Sequence, residues 1–139
     1  ENRVELLNGF LSEFKFNDNT FDAVTCLAVF HYLQKKDRKE ILDTIKKVLK
    51  PNGIFIYSVA VKPDTEQAMN VMKEMYFNYP IQNNTDKQIV AKVKEVFEND
   101  YNMLTEKEEA EMLVAAGFKQ PILLYSSLFF KTYLVISFN

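Results

Sequence analysis

The stretch FDAVTCLAVFHYL, residues 21–33, contains an almost unbroken apolar run from Ala23 to Phe30. A run of this kind, entered from a polar loop, is typical of a strand that is covered on both faces, as in a parallel sheet. The run ends on His31 and Tyr32, whose polar groups a core strand does not require. Because ligands of open α/β sheets bind beyond the carboxyl ends of the strands, we place this pair at a functional edge.

A helix and a second strand follow this segment. Asp37 and Glu40 have the spacing of a capping box, and apolar residues at helical spacing predict an amphipathic helix over residues 38–49. Pro51-Asn52-Gly53 ends the helix, and Ile54–Val61 is predicted to be a second buried strand. Two strands that are joined by a helical crossover lie parallel, so the segment predicts an α/β fold.

The other segments extend this pattern. A short strand is predicted at Val4–Leu7, and two helices are predicted within residues 64–99. Thr105 and Glu108 form another capping box, and Gly117 ends the helix that follows. The last two strand-like segments are too close in sequence for a helical crossover, so an antiparallel hairpin is predicted. They are Ile122–Ser126 and Thr132–Phe138.

Length, charge and cysteine content limit the possible classes of protein. With 139 residues the chain is one domain or a piece of one, and its net charge of −2 argues against general nucleic-acid binding. Cys26 is the single cysteine, which fits a reducing compartment and predicts a cytoplasmic protein. One cysteine and one histidine do not make a zinc site, so no metal is expected. No apolar run has the length of a membrane helix, so no membrane partner is expected.

Several short motifs occur in a specific order along the chain. They are Phe21-Asp22-Ala23-Val24, His31-Tyr32-Leu33, Arg38 with Leu42, Val48 through Gly53, and Ala115-Ala116-Gly117-Phe118. In this order and spacing the set resembles the second half of a class I S-adenosyl-L-methionine (SAM) dependent methyltransferase. The resemblance implies an α/β, Rossmann-like methyltransferase sheet, mostly parallel with a C-terminal antiparallel hairpin, whose first two strands are missing.

The resemblance covers most of the chain and implies three parts. Residues 1–61 are the sheet core, 62–104 a helical insertion, and 105–139 the closing helix and hairpin. The family's glycine-rich cofactor loop has no counterpart, because the only three glycines are Gly9, Gly53 and Gly117. We therefore expect the chain to be the C-terminal part of a longer enzyme and to bind SAM weakly or not at all by itself. The sheet edge left exposed would favour homodimerisation.

The resemblance also implies positions for the cofactor. The segment Gly9-Phe10-Leu11 falls where the family has an acidic residue that receives the adenine amino group, and here that acid is replaced. Backbone contact at Gly9 and apolar packing by Phe10 and Leu11 are the interactions that this sequence still allows. A second set resembles the positions that flank the methionine part of SAM: Cys26, Leu27 and Ala28.

His31 and Tyr32 would then lie on the substrate side, beside the methyl-transfer cleft. Two interpretations of His31 are open: a part in the reaction, or a structural role in which its ring caps the strand and hydrogen-bonds to the backbone.

The implied function is methyl transfer to an unidentified small-molecule acceptor. The layout is similar to the family branch that contains carboxy-SAM synthase, in which a helix arginine holds the extra carboxylate. The corresponding residues 105–112 contain no arginine, which favours a plain methyltransferase. An alternative is a degenerate, methyltransferase-like subunit that binds or regulates an active partner.

Overall fold

The computed structural model describes residues 3–138 of the chain. Its strands are β1 (Phe21–Leu27), β2 (Leu49–Ala60), β3 (Ile122–Ser127) and β4 (Phe130–Ile136), and they form one sheet with the order β1-β2-β4-β3. The helices are α1 (Lys35–Val48), α2 (Glu66–Gln82), α3 (Lys87–Asn99) and α4 (Glu106–Ala115). Two short 3₁₀ helices span Leu11–Glu13 and Phe30–Tyr32.

The pairing of the strands confirms the α/β class and the C-terminal hairpin. β1 and β2 are parallel and are joined through α1, with Val24 opposite Phe55. β4 is antiparallel to both β2 and β3. The four described strands therefore form a mixed sheet, in which only one of three pairings is parallel. The description "mostly parallel" does not fit them, because the hairpin brings β4 back in the opposite direction beside β2.

One face of the sheet carries the main core. Phe55 and Tyr57 of β2 and Val135 of β4 are fully buried on this face. They pack in one cluster with Leu42 of α1 and Leu113 of α4. The two amphipathic helices therefore bury their apolar sides on the same face of the sheet.

The opposite face is much more accessible in the described part of the chain. Ile54 and Ile56 are half-buried there, and Leu27 is exposed. In β1 only Val24 and Cys26 are half-buried, and both pack against the main core. The prediction that the first strand is covered on both faces is therefore wrong for the described chain. The apolar run of the sequence continues past Leu27 because the residues that follow enter the 3₁₀ helix Phe30–Tyr32, which is partly buried.

The predicted strand at Val4–Leu7 is wrong. These residues are exposed and form no strand, because no neighbouring strand pairs with them among the described residues. A strand's backbone groups need such a partner, which sequence pattern alone cannot supply.

The two predicted capping boxes have different outcomes. At α4 the Thr105 side chain accepts from the Glu108 N–H, and the Glu108 carboxylate accepts from the Thr105 N–H, so this box is confirmed. The helix α1 begins earlier than predicted, at Lys35, and Asp37 lies in its first turn. The predicted box with Glu40 is therefore wrong, although an acidic side chain in the first turn still suits the helix dipole.

Helices α2 and α3 confirm the two helices predicted within residues 64–99, and they build a second core. Phe77 of α2 and Phe97 of α3 pack with Phe129, which lies in the turn between β3 and β4. Ala60, the last residue of β2, joins the same cluster. This second core therefore lies beside the carboxyl end of β2.

Gly117 ends α4 in a left-handed conformation, with φ of +85°. Its N–H donates to the Val114 carbonyl, and the Phe118 N–H donates to the Leu113 carbonyl. These are the two hydrogen bonds of a Schellman motif, and the buried side chains of Phe118 and Leu113 supply its apolar contact. The predicted role of Gly117 is confirmed.

We predict that Gly117→Ala lowers the free energy of unfolding by about 1 to 2 kcal/mol, because a Cβ strains the left-handed backbone. Steric overlap adds little, since the nearest atom to that Cβ is the flexible Lys46 Cε at 3.3 Å. Urea denaturation of the described chain measures the change. Gly117→Asn is the matched control and should lose less, because asparagine adopts this conformation more readily. Equal losses in both variants would contradict the backbone explanation.

Candidate functional site

The carboxyl ends of β1 and β2 lie side by side, with Leu27 opposite Ser58. Ala28 follows with φ of +56°, an unusual conformation for alanine. Its N–H donates to both the carbonyl oxygen and the Oγ of Ser58, at 3.0 and 2.9 Å. The two bonds hold the chain as it leaves the strand and turns into the 3₁₀ helix Phe30–Tyr32.

His31 lies beneath this edge and is only 1% exposed. Its Nδ1 accepts a hydrogen bond from the Ala60 N–H at 3.2 Å, so this nitrogen carries no proton. The ring centroid lies 4.5 Å from that of Tyr32 and 4.3 Å from that of Tyr101. Burial and the nearby charge of Arg38 lower the pKa of His31 to about 4. The imidazole is therefore neutral at physiological pH, with Nδ1 occupied by the backbone.

Tyr32 is the more open member of the predicted pair, with 44% of its surface exposed. Its ring meets that of Tyr101 edge-on at 5.1 Å. Burial raises the pKa of Tyr101, so its phenol stays a protonated donor near neutral pH. Of the two residues predicted on the substrate side, the structure offers Tyr32 to solvent and places His31 behind it.

Two of the residues predicted for the cofactor line one groove. Leu11 and Cys26 share a cavity of about 420 Å³ with Phe16, Ile41 and Ile45. Its other lining residues are mostly apolar too. Burial raises the pKa of the Cys26 thiol, which therefore remains a neutral, weakly polar wall of the groove.

The other four residues of that prediction lie elsewhere. Gly9 and Phe10 are in an exposed turn, where the Phe10 N–H donates to a Glu13 carboxylate oxygen at 2.7 Å. Leu27 and Ala28 are at the end of β1, next to the 3₁₀ helix that carries the histidine. The structure therefore divides the predicted cofactor residues among a groove, a strand end and a surface turn.

A buried ion pair lies close to this edge and was not predicted. Arg38 of α1 and Glu109 of α4 are each about 1% exposed, and their Nη1 and Oε1 atoms are 2.6 Å apart. Arg38 Nε also donates to the Leu33 carbonyl at 3.1 Å, and its Nη2 donates to the Asn102 carbonyl. The second Glu109 oxygen accepts from the Tyr57 hydroxyl at 3.2 Å. Burial raises the pKa of Glu109, and Arg38 counters that effect.

The sequence contained a signal for this pair. Arg38 precedes Leu42 and Ile45 at helical spacing, and Glu109 precedes Leu113, so both charges lie on the core-facing sides of their helices. Two opposite charges on apolar helix faces predict a buried pair, because each needs a partner there. The acidic first turn of α4 suits the helix dipole, but the dipole does not account for the burial of Glu109.

Asn102 connects the pair to the edge. Its N–H donates to the His31 carbonyl at 2.6 Å, and its Nδ2 donates to the Tyr32 carbonyl at 3.3 Å. Its Oδ1 accepts from Gln34 Nε2 at 2.9 Å. The segment between α3 and α4 is thereby bound to the segment between β1 and α1. Within residues 3–138 no group of three or more His, Cys, Asp or Glu side chains is arranged to hold a metal ion.

We predict that His31 makes stability depend on pH. Its folded-state pKa of about 4 lies below the 6.5 of an unfolded chain, so the unfolded state binds the proton first. The stabilisation is complete above pH 6.5 and is lost as the pH falls towards 4, by about 3 kcal/mol. Denaturation of the wild type and of His31→Asn across this range measures it. The asparagine variant should lack this part of the slope, and equal slopes would contradict the assignment.

Comparison with known proteins finds one matching family model and a set of curated relatives. A family model described as "Methyltransferase domain" matches residues 1–57. The carboxy-S-adenosyl-L-methionine synthase of Campylobacter lari (strain RM2100) is 31% identical over 117 residues, which cover 84% of this chain and 49% of that protein. The chain spans about half the length of the curated relatives it matches.

Solved structures share the fold. The SAM-dependent methyltransferase SibL in its apo form superposes with a TM-score of 0.65 at 10% identity, covering 99% of this chain and 37% of that one. The 1,6-didemethyltoxoflavin-N1-methyltransferase of Burkholderia thailandensis gives a TM-score of 0.58 at 17% identity, covering 92% and 48%. No helix in the described part of the chain has the length and apolarity to span a membrane. By motif order, sequence relatives and fold, the chain is similar to class I SAM-dependent methyltransferases and shares their Rossmann-like fold.

Proposed function

We propose that the protein to which this chain belongs is a methyltransferase that uses SAM and methylates a small-molecule acceptor. The observation that carries the proposal is the edge where β1 and β2 end together, with Tyr32 open above a buried, neutral His31. SAM supplies an electrophilic methyl group bound to sulfur. A methyl transfer forms a bond from the acceptor to that carbon and breaks the carbon–sulfur bond, leaving S-adenosylhomocysteine.

The residues present fit part of such a cofactor. The groove with Leu11 and Cys26 is apolar and suits a flat ring or an apolar segment of the ligand. The Ala28 N–H is already used by Ser58, so this strand end offers shape rather than a free donor. No glycine-rich turn can be written from the three glycines of the chain. We therefore propose that the complete cofactor site requires a longer protein.

The site residues have positioning roles in this proposal. His31 Nδ1 accepts from the backbone and its ring is buried, so it supports the 3₁₀ helix and does not act as a base through Nδ1. Tyr32 presents its phenol to the acceptor. Alignment of two bound reactants can replace roughly 7–11 kcal/mol of activation in ideal cases, so a rigid edge is itself a catalytic contribution.

Carboxy-SAM synthase is a second candidate, because curated relatives with that name match the chain at up to 31% identity. The resemblance to that branch implies a helix arginine that holds the extra carboxylate. Helix α4 contains no arginine, and Arg38 is already paired with Glu109. These two facts favour a plain methyltransferase over the synthase.

The remaining alternative is that the chain acts as a binding or regulatory subunit. The feature that would support it is the unpaired edge of the described sheet. β1 is the outermost strand in the described sheet, and its outer edge is unpaired there. Such an edge can pair with a strand of another chain. We propose that the isolated chain forms a homodimer through it, which light scattering at increasing protein concentration tests.

We predict that the protein extended upstream in its gene binds S-adenosylhomocysteine, and that the 139-residue chain binds it at least 100-fold more weakly. Calorimetric titration of both proteins measures the difference. Equal, tight binding by the short chain would show that its site is complete. Absence of binding by both would favour the binding-subunit alternative.

We predict that Tyr32→Ala in the extended protein lowers kcat/KM for the acceptor by at least 10-fold and leaves S-adenosylhomocysteine affinity unchanged. The phenol would contact the acceptor and not the cofactor, so only the first quantity should respond. Tyr125→Ala is the matched control, because that tyrosine is also exposed and lies on β3. An equal loss in both variants would contradict the role of Tyr32.

A further inference from the structure

We infer that the buried Arg38–Glu109 pair is a positioning device for the acceptor-side edge, which fixes the segments that carry Tyr32 and Tyr101. The inference rests on the proposed function for the meaning of that edge. The positions of the segments that carry Tyr32 and Tyr101 follow from hydrogen bonds within the chain. Both residues act through other groups, so they are positioning residues and not catalytic residues.

Arg38 binds three separate segments at once. Its Nε donates to the carbonyl of Leu33, at the end of the 3₁₀ helix, at 3.1 Å. Its Nη2 donates to the carbonyl of Asn102, in the segment between α3 and α4. Its Nη1 binds Glu109 of α4 at 2.6 Å. Because the guanidinium is planar and rigid, these three partners are held at fixed relative positions.

The two carbonyl contacts distinguish this role from simple stabilisation. A buried ion pair often contributes no more to folding than apolar side chains of similar volume. Apolar side chains, however, cannot donate to the Leu33 and Asn102 carbonyls. The property that only the ion pair provides is therefore the fixed distance between the two backbone segments.

Asn102 connects the Arg38–Glu109 pair to the acceptor-side edge. Its N–H donates to the His31 carbonyl, and its side chain binds Tyr32 and Gln34. The preceding residue, Tyr101, contacts the rings of both His31 and Tyr32. A shift of Arg38 would therefore move the histidine, both tyrosines and the bond from Ala60 to His31 Nδ1 together.

His31 is the only histidine of the chain, so its NMR signals report on this edge without assignment ambiguity. The bond from Ala60 requires an unprotonated Nδ1, and this tautomer has a distinctive ¹⁵N signature. Hydrogen exchange at the Ala60 and Asn102 amides reports on the two bonds that flank the ring. The described chain is sufficient for these measurements, and they require neither cofactor nor acceptor.

The test compares three variants with the wild type. Arg38→Met/Glu109→Met replaces the pair by apolar side chains, and Arg38→Lys retains the charge without the planar fork. The matched control is Lys39→Met/Asp43→Met, which removes an exposed ion pair from the same helix. Thermal denaturation of each variant shows which of them fold.

We expect the double methionine variant to melt near the wild-type temperature, yet to exchange the Ala60 and Asn102 amides at least 10-fold faster. Its histidine should show mixed tautomers and a pKa moved towards 6.5. Arg38→Lys should show the same loss of a single tautomer although the charge near the ring is unchanged. The control should match the wild type in every measurement.

If Arg38→Lys keeps the wild-type exchange rates and the wild-type His31 tautomer, the inference is overturned. The positive charge alone would then be sufficient to hold the edge. The same wild-type result in a folded double methionine variant would also overturn it. If the double variant does not fold, Arg38→Lys decides. A failed cofactor titration of the extended protein would instead contradict the proposed function and leave this result standing.

Discussion

A single buried ion pair determines how the layers of this chain fit together. Moving a charged side chain out of water costs several kcal/mol, so Arg38 and Glu109 are tolerated in the interior only when each has the other. Arg38 lies on α1 and Glu109 on α4, and both helices cover the same sheet face. Their meeting therefore fixes α4 against α1, and with it the segment that leads from α3 to the edge.

The sequence was sufficient to predict elements whose stability is local. The spacing of apolar residues in α1, the reciprocal cap of Thr105 with Glu108, and the glycine after α4 each depend on neighbours along the chain. The predicted strand at Val4–Leu7 failed because a strand depends on a partner strand, and that partner can lie far away in sequence. The prediction that β1 is covered on both faces failed for the same reason. An apolar run does not show which faces of a strand have neighbours.

The candidate site shows the same division. The position of His31 and Tyr32 near the end of the sheet could be predicted, because both residues follow a strand in the sequence. In the structure they lie just after the carboxyl end of β1. Their different exposure did not follow, because it arises from contacts with residues far away in sequence, such as Phe130 and Ala60 against His31. Arg38 and Glu109 could be assigned to core-facing helix sides from spacing, but the carbonyls that Arg38 binds are visible only in three dimensions.

The pairing of β2 with β4 has a consequence for how this fold can change during evolution. The paired residues Ile54 and Ile136 are about 80 residues apart, and α2, α3 and α4 lie in the loop between them. Closing such a loop costs chain entropy that grows only with the logarithm of its length, so doubling it adds only about 0.6 kcal/mol. Extra residues inserted between β2 and α4 therefore add little chain-entropy cost, whereas loss of α2 or α3 would expose the second core. Insertions that keep Asn102 in place would reshape the surroundings of Tyr32 and leave the sheet and its buried pair unchanged.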